Sequence, residues 1–294
     1  MSTPVFKGVA TALITPFTDK GIDYASFCRL IEEQLTNGID ALVVCGTTGE
    51  NPTHTEEEHN KLVELTVKKC AGRMKTIVGV GGYNTAHVLE QAKQAEACGA
   101  DGILMVTPYY NKSTQKGLIE HFTYVADRVS VPMILYNVPG RTGCSIPVSV
   151  VEKLSKHPNI AGIKEASGDM SYAMKIAHCI GPDFALYSGN DDITVPLMSI
   201  GGSGVISVYA NVMPRMCHEI VADYLGGNQA RAVENHLKYL KLMNDLFMEV
   251  NPIPVKAAMN LMGLNVGPMR LPLCEMTPEH TEALRRTLEE AGLL

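Results

Sequence analysis

The sequence predicts an α/β chain of the (β/α)8 TIM-barrel class with a C-terminal helical extension. Short apolar, β-branched runs alternate with segments of helical period, and these runs number eight before the strand signal stops after Val208. Eight parallel strands close a barrel, whereas open doubly wound sheets usually have about five to seven. A length of 294 residues fits one barrel of about 250 residues with an appendage.

The eight predicted strands are continuous apolar runs, which is typical of parallel strands buried on both faces. They cover 8–14, 41–46, 75–81, 102–108, 132–138, 160–166, 184–189 and 204–208. Amphipathic segments between them predict helices at 24–36, 56–70, 85–98, 114–128, 147–156, 170–180 and 193–200. Thr55 and Glu58 predict a capping box, and Gly38, Gly72 and Gly99 predict left-handed helix ends.

The tail of the chain carries helical patterns alone. The predicted helices cover 215–225, 229–250, 254–262 and 278–291. The Gly226-Gly227-Asn228 turn and the Asn251-Pro252 break separate them. We therefore predict a barrel with the active site over residues 1–224 and a C-terminal helical domain over residues 225–294.

Composition and charge argue against several classes of protein. The formal net charge is −6 and no run of Lys or Arg occurs, so we expect no nucleic-acid partner. The longest apolar runs are far shorter than the roughly 20 residues of a membrane helix, and no signal-peptide pattern occurs. We expect a cytoplasmic protein without a membrane partner.

Side chains at the carboxyl ends of barrel strands form the active site in this fold class, and Lys164 is the most informative of them. It lies in the apolar run IAGIKEA, and a lysine is almost never fully buried unless it is paired or functional. Burial disfavours the ammonium form, which leaves the neutral amine that a Schiff base needs. The alternative is an ion pair with Glu165 or a helix carboxylate.

Three further candidates come from the same rule, each with a structural alternative. Tyr136 ends an apolar strand and is either a proton shuttle or a core tyrosine bonded to a backbone carbonyl. The loop with Thr47 and Thr48 either holds a carboxylate on its backbone N–H groups or is only a tight turn. Arg141 either binds a second carboxylate or is a solvated loop residue. Histidines and carboxylates show no metal-ligand spacing, so we expect no metal.

Six motifs together resemble the dihydrodipicolinate synthase/N-acetylneuraminate lyase family over roughly residues 5–293. They are GTTGE (46–50), TPYYN (107–111), YNVPGRTG (136–143), GIKEASGD (162–169), YSGND (187–191) and NPIPVKAAM (251–259). The resemblance implies a Schiff-base lyase of the class I aldolase type, without an organic cofactor. It implies that Lys164 forms the Schiff base with pyruvate and that Thr47 and Thr48 bind the pyruvate carboxylate.

The resemblance also implies the roles of the remaining site residues. Tyr136, Thr48 and Tyr110 would form a hydroxyl relay for proton transfer, and Gly189 and the Ile206 backbone would complete the pocket. Arg141 resembles the synthase branch, in which it holds the carboxylate of L-aspartate 4-semialdehyde in lysine and diaminopimelate biosynthesis. The enzymatic alternatives are a 2-keto-3-deoxy sugar acid aldolase and an N-acetylneuraminate lyase, and a keto-acid-binding regulator is the non-catalytic one.

The resemblance has implications for assembly and regulation as well. Tyr110 would come from a neighbouring subunit, which implies a homo-oligomer, commonly a dimer of dimers (a homotetramer). Asn51, His59 and Tyr109 match parts of a lysine-binding regulatory site at the subunit interface. Three other positions of that site depart from the lysine-regulated pattern, so we expect weak or absent inhibition by lysine; they are Glu56, Tyr83 and His87.

Overall fold

The computed structural model describes residues 4–294, and eight parallel strands close a barrel within it. Each strand hydrogen-bonds to the next one along the chain, and the last returns to the first. The strands are β1 (Gly8–Ala12), β2 (Ala41–Val44), β3 (Lys75–Gly81), β4 (Gly102–Val106), β5 (Met133–Asn137), β6 (Ile160–Glu165), β7 (Ala185–Ser188) and β8 (Gly204–Ser207). The predicted fold class and all eight predicted strands are confirmed.

Most of the predicted strands end one or two residues beyond the observed ladder. The apolar run continues there, but the chain leaves the sheet to form the loops at the carboxyl ends of the strands. One hairpin was not predicted: Phe17–Thr18 pairs with Gly21–Ile22 between β1 and the first helix. Two-residue strands are too short to give an alternating pattern.

Helices follow the strands in the order that the sequence predicts, with one short addition at Pro139–Thr142 that was not predicted. The barrel helices are α1 (Tyr24–Thr36), α2 (Glu56–Cys70), α3 (Thr85–Ala97), α4 (Gln115–Ala126), α5 (Pro139–Thr142), α6 (Val148–Leu154), α7 (Met170–Ile176), α8 (Thr194–Ser199) and α9 (Pro214–Leu225). The capping box at Thr55 and Glu58 is confirmed. Gly38, Gly72 and Gly99 all have positive φ, although Ala71 already takes the left-handed conformation at the end of α2.

The barrel interior is closed at the amino ends of its strands. The ring of Phe6, which precedes β1, stacks on Tyr187 with 4.3 Å between ring centres. The Tyr187 hydroxyl donates to the carbonyl of Phe6 at 2.7 Å. Apolar side chains from the strands fill the space above, among them Ala10, Val43, Ile77, Leu104, Ile134 and Ile206. The interior is therefore a packed core, and a ligand enters only from the carboxyl ends.

The C-terminal helices are α10 (Gln229–Lys238), α11 (Leu240–Asp245), α12 (Ile253–Leu261) and α13 (Pro278–Glu290). The prediction of a single helix over 229–250 was wrong. Tyr239 has φ −102° at the junction and lies buried 6.4 Å from the ring of Tyr209, so the chain turns where this ring enters the core. Helical periodicity continues across the junction, which is why the sequence pattern hides it.

The C-terminal helices pack into the same hydrophobic core as the barrel. Helix α12 contacts α13, and α11 contacts both α13 and the turn that follows β7. A domain boundary at residue 225 stays a prediction. Among the described residues, no helix is long and apolar enough to cross a membrane.

Candidate active site

Lys164 lies on β6, and its side chain is buried, with 6% of the residue exposed. In the parallel ladder its register partners are Tyr136 on β5 and Tyr187 on β7. The Lys164 Nζ atom is 4.5 Å from the centre of the Tyr136 ring. The predicted burial is confirmed, and the strand register places the Lys164 amine against the Tyr136 ring.

The alternative role for Lys164, an ion pair with Glu165, is not observed. The Glu165 carboxylate points to other groups: Oε2 accepts from Asn137 Nδ2 at 2.7 Å, and Oε1 accepts from the Ser167 N–H at 2.6 Å. Burial raises the pKa of Glu165, whereas these hydrogen bonds lower it. Within residues 4–294 no carboxylate lies within 4.0 Å of the Lys164 amine, so no ion pair holds it in a structural role.

Asp191 is a buried carboxylate that follows β7 and feels the charge of Lys164. Burial raises the pKa of Asp191, and hydrogen bonds and the Lys164 charge oppose that shift. Its Oδ2 atom accepts from the N–H groups of Val208 and Tyr209, each at 3.0 Å. The carboxylate thus fixes the turn after β8 to the end of β7.

The loop after β2 presents backbone N–H groups. Gly79 on β3 makes room for it, because a Cβ atom there would lie 2.4 Å from the Cys45 carbonyl oxygen. In the described part of the chain, the N–H groups of Thr47 and Thr48 donate to no protein acceptor. Two free N–H groups on successive residues suit a carboxylate. The Thr48 hydroxyl is buried and accepts from Asn251 Nδ2 at 3.0 Å.

Arg141 lies on the short helix α5, which begins directly after β5. Its guanidinium donates to the Asn251 carbonyl at 3.2 Å. No carboxylate of residues 4–294 lies within salt-bridge distance of it, so its positive charge is free to bind an anion. The side chain is anchored at one nitrogen and retains donors for a planar, two-point contact with a carboxylate.

Gly189 and Ile206 lie at the ends of the two strands that follow β6. The Gly189 N–H donates to the Glu165 carbonyl at 2.6 Å. A Cβ atom at Gly189 would lie 2.4 Å from the Ala166 Cβ, so only glycine fits this close against the end of β6. Ile206 is fully buried on β8 inside the barrel.

A pocket of about 200 Å³ opens at the carboxyl ends of the strands. It brings together three of the residues predicted to act on substrate, Thr47, Tyr136 and Arg141, and two of the predicted regulatory residues, Asn51 and Tyr109. Of the described residues, Lys164, Thr48, Gly189 and Ile206 are not among those that line it, although the Lys164 amine lies 4.5 Å from the centre of the Tyr136 ring. The lining includes Thr47, Tyr136, Arg141, Tyr109, Asn51, Gly79, Gly81, Leu104, Val106 and Val138.

Tyr110 does not join this pocket within one chain. It is 91% exposed and has a positive φ of 64°. A non-glycine residue in the left-handed region costs on the order of 1 kcal/mol, and such strain clusters at functional sites. At this exposure the Tyr110 side chain has almost no packing against its own barrel.

The predicted regulatory residues line one cleft of about 660 Å³ beside the pocket. The His59 ring and the Asn51 side chain are hydrogen-bonded at 2.8 Å, and the rings of Tyr83 and Tyr109 meet edge to face at 5.5 Å. Burial lowers the pKa of His54 in this cleft to about 4. The departing positions lie here as well, namely Glu56, Tyr83 and His87.

The sequence reasoning gave no role to three residues that contact the site loops: Asn251, Lys256 and Glu50. Asn251 contacts both Thr48 and Arg141, and Lys256 forms a buried ion pair with Glu50. The signal for Lys256 was present, because a lysine within the apolar run IPVKAAM raises the same question as Lys164. Asn251 has no such signal, because asparagine next to proline is typical of an ordinary turn.

Comparison with known proteins shows the family of this chain. The sequence profile of the dihydrodipicolinate synthetase family matches residues 5–291. The chain belongs to the dihydrodipicolinate synthetase family. The 4-hydroxy-tetrahydrodipicolinate synthase of Acetivibrio thermocellus is 49% identical over 294 residues, which is 100% of both chains.

Solved structures of the dihydrodipicolinate synthetase family have the same fold. Dihydrodipicolinate synthase from Thermotoga maritima superimposes with a TM-score of 0.96 and 45% identity, covering 99% of this chain and 100% of that one. A structure described as the first monomeric dihydrodipicolinate synthase variant also gives 0.96 and 45%, over 99% and 98% of the two chains. The resemblance that the six motifs predicted is confirmed.

Proposed function

We propose that this chain is a lyase that condenses pyruvate with L-aspartate 4-semialdehyde, the reaction of 4-hydroxy-tetrahydrodipicolinate synthase. The observation that supports it most is the buried Lys164 amine, without a counter-ion, beside a pocket that also holds the free charge of Arg141. The full-length relative at 49% identity carries this activity in its name. The product leads to lysine and diaminopimelate.

Pyruvate is the first substrate in the proposed reaction. Its carboxylate accepts hydrogen bonds from the Thr47 and Thr48 N–H groups, and the Thr48 hydroxyl supports them. The Lys164 amine adds to the keto carbon, and loss of water gives the iminium. This cation acidifies the methyl group, so loss of one methyl proton gives an enamine. No metal or organic cofactor takes part in these steps.

L-aspartate 4-semialdehyde is the second substrate, and Arg141 binds its carboxylate. The enamine carbon attacks the aldehyde, which forms a carbon–carbon bond and leaves an oxygen that takes up a proton. The substrate amine then attacks the iminium carbon, and Lys164 leaves as a free amine. Ring closure thus releases 4-hydroxy-tetrahydrodipicolinate and restores the enzyme. Gly189 and the Ile206 backbone complete the pocket.

Proton transfers in these steps need a relay, for which we propose Tyr136, Thr48 and Tyr110. Tyr136 lies against the Lys164 amine, and Thr48 belongs to the loop whose N–H groups would bind pyruvate. Tyr110 is exposed and does not line the pocket of its own chain, which supports its insertion into the site of a neighbouring subunit. The proposal therefore includes a homo-oligomer with a shared site, a dimer of dimers, in the cytoplasm.

Lysine is the ligand that the family resemblance implies for the cleft with Asn51, His59 and Tyr109. We propose weak or absent inhibition, because Glu56, Tyr83 and His87 change the charge and shape of this cleft. An assay of turnover against lysine concentration checks this. Half-inhibition below millimolar lysine contradicts it.

A substrate comparison tests the proposed reaction. Purified protein with pyruvate should turn over L-aspartate 4-semialdehyde, and should release little pyruvate from N-acetylneuraminate or 2-keto-3-deoxy sugar acids. Arg141→Met should raise the KM for the semialdehyde about 10²-fold, because a two-point charged contact is lost, while pyruvate binding is retained. Arg128→Met, which changes a surface arginine stacked on Tyr124, is the matched control. Efficient cleavage of either sugar acid without turnover of the semialdehyde would contradict the proposal and favour a 2-keto-3-deoxy sugar acid aldolase or an N-acetylneuraminate lyase.

A further inference from the structure

Lys256 and Glu50 form an ion pair whose two side chains are both fully buried, with 2.8 Å between Nζ and Oε1. The Lys256 ammonium also donates to the carbonyls of Thr15 at 3.0 Å and Pro268 at 2.6 Å. These contacts use all three of its donors. The Lys256 ammonium therefore has every hydrogen in a hydrogen bond to the protein, in contrast to Lys164.

The pair raises an energetic question. Burying two charges costs free energy of desolvation that their attraction only partly returns, so apolar residues of similar volume often stabilise a fold as well or better. Burial lowers the pKa of Lys256, and Glu50 opposes that shift. A contribution to stability is thus a poor explanation for this pair, and its position suggests a geometric one.

Glu50 ends the loop that carries Thr47 and Thr48. It has a positive φ of 56°, and its N–H donates to the Thr47 carbonyl at 3.1 Å. Its second carboxylate oxygen accepts from the Arg270 N–H at 3.0 Å. The strained backbone of Glu50 and the peptide of Thr47 are therefore fixed through the Glu50 carboxylate, and Lys256 holds that carboxylate from helix α12.

The neighbouring contacts of Lys256 act on the same loop. Thr15, whose carbonyl binds Lys256, donates its hydroxyl to the Gly49 carbonyl at 2.7 Å. Asn251, at the start of the same segment, donates to the Thr48 hydroxyl. The loop 46–50 is therefore held by hydrogen bonds at three residues: Glu50, Gly49 and Thr48. Their partners belong to the segment 251–256, outside the barrel strands, or, in the case of Thr15, contact it.

We propose that Lys256 is a positioning residue for pyruvate: through Glu50 it holds the Thr47 and Thr48 N–H groups in the geometry that binds the carboxylate. The inference rests on the proposed function, since it assigns these N–H groups to pyruvate. It makes the C-terminal helices part of the active site. Because the N–H groups bind the carboxylate in the ground state and transition state alike, Lys256 acts on pyruvate affinity more than on the chemical step.

Two variants and one control separate positioning from stability. Lys256→Met removes the ammonium and keeps the aliphatic stem, which leaves Glu50 buried without its partner. The double variant Glu50→Gln/Lys256→Met removes both charges, so it should recover much of the lost stability. Leu284→Ala truncates a fully buried side chain on α13 that contributes nothing to the loop, and it destabilises the fold by another route.

The readout is the pyruvate concentration that half-saturates borohydride trapping of Lys164, measured beside the Tm. Both Lys256 variants should raise this concentration about tenfold or more, the effect of losing a hydrogen bond to a charged group. The trapping rate at saturating pyruvate should change by less than about threefold. Leu284→Ala should lower the Tm and leave half-saturation unchanged.

Two results would overturn the inference. In one, the double variant regains the wild-type Tm and binds pyruvate as the wild type does. In the other, Leu284→Ala weakens pyruvate binding as much as Lys256→Met does. The wild-type protein serves as the reference: absence of any pyruvate adduct on it refutes the proposed function, whereas an adduct with unaltered Lys256 variants refutes the positioning role alone.

Discussion

Two buried lysines in this chain differ in their polar partners, and these partners decide what each lysine can do. Lys256 donates all its hydrogens to a carboxylate and two carbonyls, which commits it to holding structure. Each amine lies 4.5 Å from the centre of an aromatic ring, Phe17 for Lys256 and Tyr136 for Lys164, but Lys164 has no carboxylate within ion-pair distance in residues 4–294. A buried amine without such partners is available as a nucleophile, which is the basis of the proposed mechanism.

Replacement of Tyr136 by phenylalanine tests the proposed proton relay by removing a single oxygen atom. Tyr136→Phe keeps the ring that packs against Lys164 and removes only the hydroxyl. We expect kcat to fall by about 10²- to 10⁴-fold, the usual contribution of a positioned acid or base, with little change in Tm. Steady-state kinetics with both substrates give the answer, and Tyr124→Phe on the surface of α4 is the control. A variant as active as the wild type removes Tyr136 from the mechanism.

Residue-scale prediction from sequence worked where a side chain conflicts with its surroundings. Lys164 in an apolar strand is such a conflict, and its burial was predicted correctly. Asn251 is not, because its contact with Thr48 joins positions 203 residues apart, and no local pattern marks it. The roles that the sequence assigned to Thr47, Thr48, Arg141 and Tyr110 stay predictions until variants are measured.

Among the elements, helix α2 is fixed at its first turn by Glu58, which both caps the helix and forms an ion pair. Glu58 accepts a hydrogen bond from the Thr55 N–H and forms a two-point ion pair with Arg270, at 2.7 Å and 2.5 Å. This ties α2 to the segment that precedes α13. The hydrogen bonds from Arg270 are the main reason that the pKa of Glu58 falls from its ordinary 4.5 to about 2.

The lowered pKa of Glu58 predicts how stability depends on pH. The ionised form is favoured in the folded state, so its contribution is complete above the ordinary value of 4.5 and is lost as pH falls toward about 2. Glu58→Gln should therefore cost about 1 kcal/mol at pH 7, typical of a well-formed pair near the surface. Urea unfolding between pH 7 and 3 should show this difference shrinking below about pH 4.5.

The exposed neighbour Glu57 provides the control for that series. Glu57→Gln keeps the same helix and changes the same kind of charge, but it leaves the pair with Arg270 intact. It should show a small and nearly constant difference from the wild type. A Glu58→Gln difference that persists undiminished at pH 3 would contradict an ionic contribution.

Element ends were predictable where a side chain marks them. The capping box fixed the start of α2, and glycines marked the ends of α1 and α3. The break between α10 and α11 was missed, because it depends on where the Tyr239 ring finds space against Tyr209. Most strands were predicted one or two residues too long for a similar reason. Apolar residues continue into the loops and are buried there by other parts of the chain.

At the scale of the whole molecule, the question is whether one chain forms a complete active site. The pocket of a single barrel does not include Tyr110. If the site is shared, a Lys164→Met subunit can lend Tyr110 to a Tyr110→Phe subunit. We expect each homogeneous variant to have little activity and a randomly mixed assembly to recover up to about a quarter of the wild-type rate. Half of the dimers are then mixed, and each mixed dimer has one complete site.

The mixing experiment is performed by denaturing and refolding the two variants together, then assaying turnover at matched protein concentration. Lys164→Met refolded with Lys164→Met/Tyr110→Phe is the control, since no complete site can form. An additive rate, with no gain on mixing, would contradict a site shared between subunits. It would leave Tyr110 without a role in the relay.

The central claim is that Lys164 forms a Schiff base with pyruvate, and reductive trapping tests it most directly. The protein is incubated with pyruvate and borohydride, weighed intact, and digested to locate the adduct. The account predicts one pyruvate-derived adduct per chain, on Lys164, and none on Lys164→Met. Folded wild-type protein that gains no adduct, or an adduct that persists in Lys164→Met, would contradict it.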